Sequence, residues 1–386
     1  MAEIDALLTE MLEQSGSDLH LMIGEPPRIR VHGELQRTQR PVLTAQALTG
    51  MMQEICGPDR WQHFQAQHDL DFAYEIPGTA RFRANYLMDV RGMACVLRQI
   101  PSRILSMEDL NLPKVLDRIC EYRRGLVLVT GPTGSGKSTT MAALIDHINR
   151  RDHKHIITLE DPIEFVHQNR KSVIVHREIG EHSNSFSAAL KSATRGDPDV
   201  VFVGEMRELQ TIRLALSCAA MGMLVFGTLH TNNAPKTIDR IIDVFPADAQ
   251  PQIRTLLAEC LAGVVSQLLC RRRDGAGRIA VHEILFYTDA LPNIIREGQT
   301  SSIRTLIESN RGEGMQTMDS SLHRLLRKDL ITAEEAYMKA SSKEEFSTAA
   351  SEPAAAAEPE PGRASVGSEQ KKPHAPLPKR KVPLRN

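Results

Sequence analysis

GLVLVTGPTGSGKSTT, residues 125–140, has three consecutive parts. Leu126–Val129 is a short apolar run of strand type. Gly131-Pro-Thr-Gly-Ser-Gly136-Lys137-Ser138 is a glycine-rich turn, and Met141–Asn149 has helical patterning. This is G-x-x-x-x-G-K-[ST] between a strand and a helix, the setting in which that motif is informative. Glycines let the backbone curl until successive N–H groups face inward toward phosphate oxygens. The following helix N-terminus adds partial positive charge. Lys137 is placed to reach β- and γ-phosphates and Ser138 to ligate Mg²⁺, so the stretch predicts binding of a nucleoside triphosphate.

Working outward, 386 residues suggest two domains or one domain with a large appendage. Charged and hydrophobic residues stand at 25% and 41%, an ordinary globular balance. The net charge of −1 supplies no field for a polyanion, and 4% aromatics leave no basic, aromatic-studded face, so a nucleic-acid partner is not expected. The six cysteines are scattered without a C-x-x-C pair, as buried reduced thiols would be. The start, MAEIDALLTEMLEQ, is acidic and amphipathic, unlike a signal peptide, and no run reaches the roughly 18 apolar residues of a membrane span. A cytoplasmic chain is expected.

Before the loop, residues 2–13 carry apolar residues at helical spacing, and Asp18–Met22 and Arg28–Val31 alternate like strands. A helix over 44–66 and strands at Asp69–Tyr74, Ala80–Leu87 and Gly92–Ile100 complete a small α+β domain. It holds Arg81, Arg83, Arg91 and Arg98, candidates for cationic sensors reaching a neighbouring subunit's nucleotide. A linker and a helix over 106–122 lead into the loop strand. Beyond the loop, strands are expected at Ile156–Leu159, Ser172–His176, Val200–Val203, Leu224–Leu229 and Ile279–Phe286, and helices at 185–194, 207–221 and 248–270. Such alternation predicts an α/β core with a mostly parallel sheet covered on both faces. Residues 289–343 read as a small helical bundle. From about Ser347 the chain turns to Ala, Glu, Pro and Ser, then to Lys, Arg and Pro, a composition that predicts disorder.

Three further clusters fall at strand ends, where ligands sit in open α/β sheets. Glu160, Asp161 and Glu164 place three carboxylates within five residues, able to hold Mg²⁺ through water and orient an attacking water. Asp197–Arg207 contains an apolar strand ending in Gly204-Glu205, which makes Glu205 the candidate for polarising that water. Gly222–Asn232 delivers Thr228, His230 and Thr231 to a strand end, an arrangement suited to γ-phosphate sensing.

In this order and spacing the clusters resemble the PilT family of type IV pilus retraction motors, within the secretion-ATPase superfamily. The likeness runs from about Ser15 to Glu344. Besides the loop, it rests on DLHLMIGEPPRIRVHGEL (18–35), RFRANY (81–86), ITLEDPIEFVH (157–167) and DPDVVFVGEMRE (197–208). It continues through VFGTLHTNNAPKTIDRIIDVFP (225–246), GRIAVHEIL (277–285) and GMQTMD (314–319). Two departures stand out. Met223 replaces a histidine of the family, and the segment that family reads as AIRNLIRE is Ala290-Leu-Pro-Asn-Ile-Ile-Arg-Glu297, with Pro292 in place of the first arginine.

The resemblance implies a PAS-like domain over 1–100, a linker and helix over 101–122, a RecA-like ATPase core over 123–288 and a helical region over 289–346; the disordered tail expected from composition over 347–386 is extra to the family. Nucleotide would lie between the two domains. Gly131, Thr133, Gly134, Ser135, Gly136, Lys137, Ser138 and Thr139 would hold it, with Mg²⁺ on Ser138 and Glu164. Glu160, Glu164, Glu205 and His230 would be catalytic, with Arg83 and Arg98 as arginine sensors. It further implies a homohexamer at the inner-membrane base of the pilus machine, with a membrane platform protein and a paralogous retraction ATPase as partners. Hydrolysis would then drive pilus retraction and twitching motility. The alternative is a nucleotide-binding accessory subunit that depends on a partner ATPase.

Overall fold

The computed structural model describes residues 2–31, 33–100 and 103–350. The expected tail from 351 onward lies outside them. In the N-terminal unit, α1 (Glu3–Glu13) precedes β1 (Gly16–Met22), β2 (Arg28–Val31) and β3 (Glu34–Arg37). Then come α2 (Ala45–Cys56), α3 (Pro58–Gln67), β4 (Asp69–Ile76), β5 (Ala80–Asp89) and β6 (Gly92–Ile100). The helix expected over 44–66 is broken at Gly57-Pro58, where Gly57 has φ 76° and Pro58 opens α3. Proline fits a first helical turn but not a helix interior. The strands form one antiparallel sheet ordered β3-β2-β1-β6-β5-β4. Its apolar face, including Leu19, Leu21, Phe82, Tyr86 and Leu97, packs with Ile4, Leu8, Leu48 and Phe64 of the helices. Its polar face carries Arg30, Asp18, Arg98 and Arg83 in register across four strands.

Only a 3₁₀ turn and α4 (Asp117–Cys120) form within the helix expected over 106–122. The second sheet follows: β7 (Gly125–Thr130), α5 (Lys137–Arg151), β8 (His155–Glu160), β9 (Val173–Glu178), α6 (Phe186–Ala193), β10 (Val200–Val203), α7 (Leu209–Ala220) and β11 (Leu224–Leu229). After it come α8 (Ala234–Asp243), absent from the sequence reading, α9 (Gln250–Cys260), β12 (Leu261–Arg271) and β13 (Arg278–Phe286). The order is β13-β12-β7-β11-β10-β8-β9, parallel throughout except for β13. Residues 261–270, expected to continue a helix, form an inner strand. A continuous apolar run does not distinguish a buried strand from a buried helix; Val264 and Val265 suit a strand flanked by β7 and β13.

The remaining helices are α10 (Leu291–Glu297), α11 (Ile303–Ser309), α12 (Met318–Arg327), α13 (Ala333–Lys339) and α14 (Glu344–Ala350). They do not form one bundle. Leu291, Ile295, Ile303 and Ile307 join the core of the second sheet, whereas Met318, Leu322, Ala336 and Phe346 pack with Cys270 and Val281 in a separate cluster. Residues 347–350, assigned to the tail by composition, belong to α14. Pro292 occupies one of the first two positions of α10, where a missing N–H leaves no helical bond unmade. No helix among the described residues is long and apolar enough to cross a membrane.

Two ion pairs join the units: Arg60 Nε to Glu181 Oε1 at 2.7 Å and Arg81 Nη2 to Glu178 Oε2 at 3.4 Å. The wholly buried β7 and inner β12 should be the last parts to open. Native-state hydrogen exchange should therefore find the amides of Val127–Val129 and Val264–Val265 among the slowest. Fast exchange at Val264 and Val265 would contradict the assignment of β12.

Candidate active site: a nucleotide cleft

The carboxyl ends of β7, β8, β10 and β11 open into a cleft of about 650 Å³, also bordered by Asp71 and Arg83 of the N-terminal sheet. The sequence builds the cleft by ending each strand in a turn. After β7 the chain curls at Gly131, with φ 149°, and reaches α5 through Gly134 and Gly136, at φ 75° and 87°. A Cβ on Gly131 would lie 2.3 Å from the Gln267 carbonyl oxygen. Glycine is therefore demanded there by contact as well as by conformation. The first-turn N–H groups of α5 have no intrahelical acceptors and suit an anion at the cleft.

Thr133, Gly134, Lys137 and Ser138 line the cleft, as do Glu160, Asp161, Glu164, Glu205 and His230. The structure thus brings together most of the residues expected from the sequence. Gly131, Ser135, Gly136 and Thr139 are not among the lining residues; Ser135 is buried, and Gly131 and Gly136 abut Gln267. Arg98 also stands apart. It pairs with Asp18 at 2.7 Å in the charged row of the N-terminal sheet. Arg83, its register partner, borders its own chain's cleft and lies 3.4 Å from Asp71, so within one chain it faces the nucleotide site in cis.

Lys137 Nζ donates to the Gly131 and Pro132 carbonyl oxygens at 2.8 and 3.1 Å and lies 3.3 Å from His230 Nδ1. An ammonium has only donors, so Nδ1 is the acceptor and His230 carries its proton on Nε2. That nitrogen is 2.8 Å from Glu205 Oε1. His230 therefore bridges the loop lysine and Glu205. Arg207, quoted in the sequence motif without a role, closes on the same Glu205 oxygen. Burial pushes the Lys137 pKa down, opposed by the carboxylates of Glu205 and Glu164. Burial also raises the Asp161 pKa, against the pull of Arg83.

Glu160 is largely buried and receives the Glu164 N–H at 3.4 Å. Behind it, the His167 N–H donates to His176 Nε2 at 3.0 Å. That leaves the His176 proton on Nδ1, 2.9 Å from Thr158 Oγ1 and 3.9 Å from Glu160 Oε1. Glu160 thus braces the turn that presents Glu164. His167 stacks on His176 at 5.6 Å, and burial lowers its pKa to about 4.

For Mg²⁺ the donor set fits. Ser138 and Glu164 share the cleft, and no group of three or more His, Cys, Asp or Glu among the described residues forms a metal cage. Magnesium on a nucleotide is held by one or two side chains together with phosphates and water.

Residues 1–337 match the family described as Type II/IV secretion system protein. The chain belongs to that family. Among its members, the Type IV pilus retractation ATPase PilT of Pseudomonas aeruginosa is 46% identical over 344 residues, 89% of this chain and all of that one. A twitching motility protein of Neisseria gonorrhoeae is 49% identical over 321 residues, covering 83% of this chain and 86% of its own length. The crystal structure of the pilus retraction motor PilT with bound ADP superposes with a TM-score of 0.82 at 40% identity, covering 89% of this chain and 98% of that one.

Asp71 and Arg207 also line the cleft; in Asp69-Leu-Asp71 and Glu205-Met-Arg207-Glu208 no spacing sets them apart from the neighbouring charges, and Gln267, which abuts the loop from behind, lies in a stretch that reads as apolar helix. Since Lys137 is the cation seated in the loop, Lys137→Ala should weaken ATP binding at least about tenfold in calorimetric titration. Unchanged affinity would overturn the loop assignment.

Proposed function

We propose that this chain is the subunit of an ATP-hydrolysing ring motor that drives type IV pilus retraction. The observation that carries the reading is the meeting of Lys137, Ser138, Glu164, Glu205 and His230 in one cleft bordered by Arg83. The full-length likeness to retraction ATPases supports the same reading.

The loop amides and Lys137 bind the β- and γ-phosphates. Ser138 and Glu164 would hold Mg²⁺, which would offset charge on the phosphate oxygens. Glu205 orients and deprotonates the attacking water once a γ-phosphate draws Lys137 and Arg207 to itself. His230 keeps Glu205 in place through Nε2–H. Arg83 adds positive charge from the N-terminal unit, which makes closure between the two units part of the catalytic arrangement. Of the four arginines considered, Arg91 and Arg98 are exposed and are left to meet an adjacent copy, the Arg98 side chain at 69% exposure.

Six copies would form the ring, docked at the cytoplasmic base of the pilus machine against a membrane platform protein, with a paralogous ATPase as a further partner. Retraction is the mechanical output proposed for successive hydrolysis around that ring.

The test is Mg²⁺-ATP turnover by purified protein of recorded oligomeric state. Turnover is expected, and Glu205→Gln should retain ATP affinity while losing about 100-fold or more in kcat. A well-formed ring that binds ATP without hydrolysing it would reject an autonomous motor in favour of an accessory subunit.

A further inference from the structure

GMQTMD, residues 314–319, belongs to no part of the cleft, yet its glutamine is joined to the phosphate loop by a buried hydrogen-bonded chain. Gln267, on β12, donates from Nε2 to the Ser135 carbonyl at 2.7 Å. A carbonyl can only accept, so this contact fixes which way the Gln267 amide faces. Its Oε1 then accepts from Thr140 Oγ1 at 2.8 Å and from His282 Nε2 at 3.0 Å. The loop's rear carbonyl and the first turn of α5 are therefore held by one amide.

His282 extends the chain along β13. Burial, followed by the positive charge of Arg324, lowers its pKa to about 4, so the ring is neutral near pH 7 with its proton on Nε2. Gln316 Nε2 donates to the His282 carbonyl at 2.9 Å. The backbones of Gln316 and Ile284 exchange two further hydrogen bonds, at 2.8 and 3.2 Å, which seat Gln316 beside β13. Arg324 of α12 closes the series, donating to Gln316 Oε1 at 2.8 Å and to Ser321 Oγ at 3.1 Å. Gln267, His282 and Ser321 are each at most 2% exposed and Gln316 is 9% exposed, so little water is present to take over a broken bond.

We infer that Gln267, His282 and Gln316 form a positioning relay through which the 314–319 segment and α12 set the geometry of the phosphate loop. The inference rests on the reading that this loop holds the triphosphate of ATP. None of the three residues lines the cleft. They act by fixing Ser135 and Thr140 from behind, so that the loop amides are aimed before phosphate arrives. By the same path a displacement of α12, which packs on β13 outside the main core, reaches the loop as a change in ATP affinity.

The test uses the full-length protein and its affinity for ATP, read by displacement of a fluorescent ATP analogue, with thermal midpoints measured without nucleotide. Gln316→Met keeps volume but removes the side-chain contacts to His282, Ser321 and Arg324, and it should weaken ATP binding about fivefold. Gln267→Met should weaken it at least as much. The double variant should be no weaker than Gln267→Met alone, because residues in series are not additive. If Gln316→Met does not accumulate as folded protein, Arg324→Met interrupts the same chain one bond farther out and should also weaken binding. A purely structural role would lower the thermal midpoint and leave affinity at the wild-type value; that result overturns the relay. Fully additive single variants overturn it as well. The relay fails by itself if wild type binds ATP, Lys137→Ala does not, and Gln316→Met matches wild type. Wild type without ATP affinity overturns the phosphate-loop reading and the relay with it.

Discussion

The contact between the phosphate loop and β12 is the constraint on which the rest of the site depends. A loop that turns its N–H groups toward phosphate must turn carbonyls the other way, into protein, where an unpaired acceptor is costly. Here the Gln267 side chain takes the Ser135 carbonyl, and the Gln267 backbone lies so close behind Gly131 that no side chain fits between them. The loop therefore has a floor. Its shape is held by an inner strand of a seven-stranded sheet, not by the glycines alone, whose freedom would otherwise favour many conformations.

Above that floor two cations share one carboxylate, one of them through a neutral histidine. Lys137, His230, Glu205 and Arg207 form a continuous polar line, and the histidine is set in one tautomer by the groups on either side. The line joins the ends of β10 and β11 to the start of α5. A change of charge at one member acts mainly on its direct neighbours, because the Arg207 and His230 side chains are exposed and solvent screens longer-range effects. Glu160 and His176 serve a different purpose. They brace the turn carrying Glu164, so within an acidic cluster whose three carboxylates all border the cleft, Glu160 also supports the turn.

The N-terminal sheet contributes through one edge. Asp71 and Arg83 stand on β4 and β5, the two strands nearest the cleft, while Arg98 on β6 is turned to Asp18. Arginines of equal appearance in sequence are thereby separated by a single strand spacing. The ion pairs of Arg60 with Glu181 and Arg81 with Glu178 hold that edge against the second sheet. Domain placement and catalytic charge are in this way the same problem.

The phosphate loop, the order of the acidic, Glu205 and His230 clusters, the mostly parallel α/β core and the small α+β N-terminal unit were all legible in sequence. Each is encoded locally: glycines mark turns, alternating apolar runs mark strands, and a site at a strand end lies within a few residues of the strand that carries it. Long-range packing decided the rest. Residues 261–270 are a strand because β7 and β13 flank them; their own apolar run is equally compatible with helix. Helices α10–α14 divide between two cores because different sheet surfaces were free to receive them. Gln267, His282 and Gln316 meet only when distant segments are stacked, and hydrogen bonds between residues far apart in the chain leave no periodic trace in it.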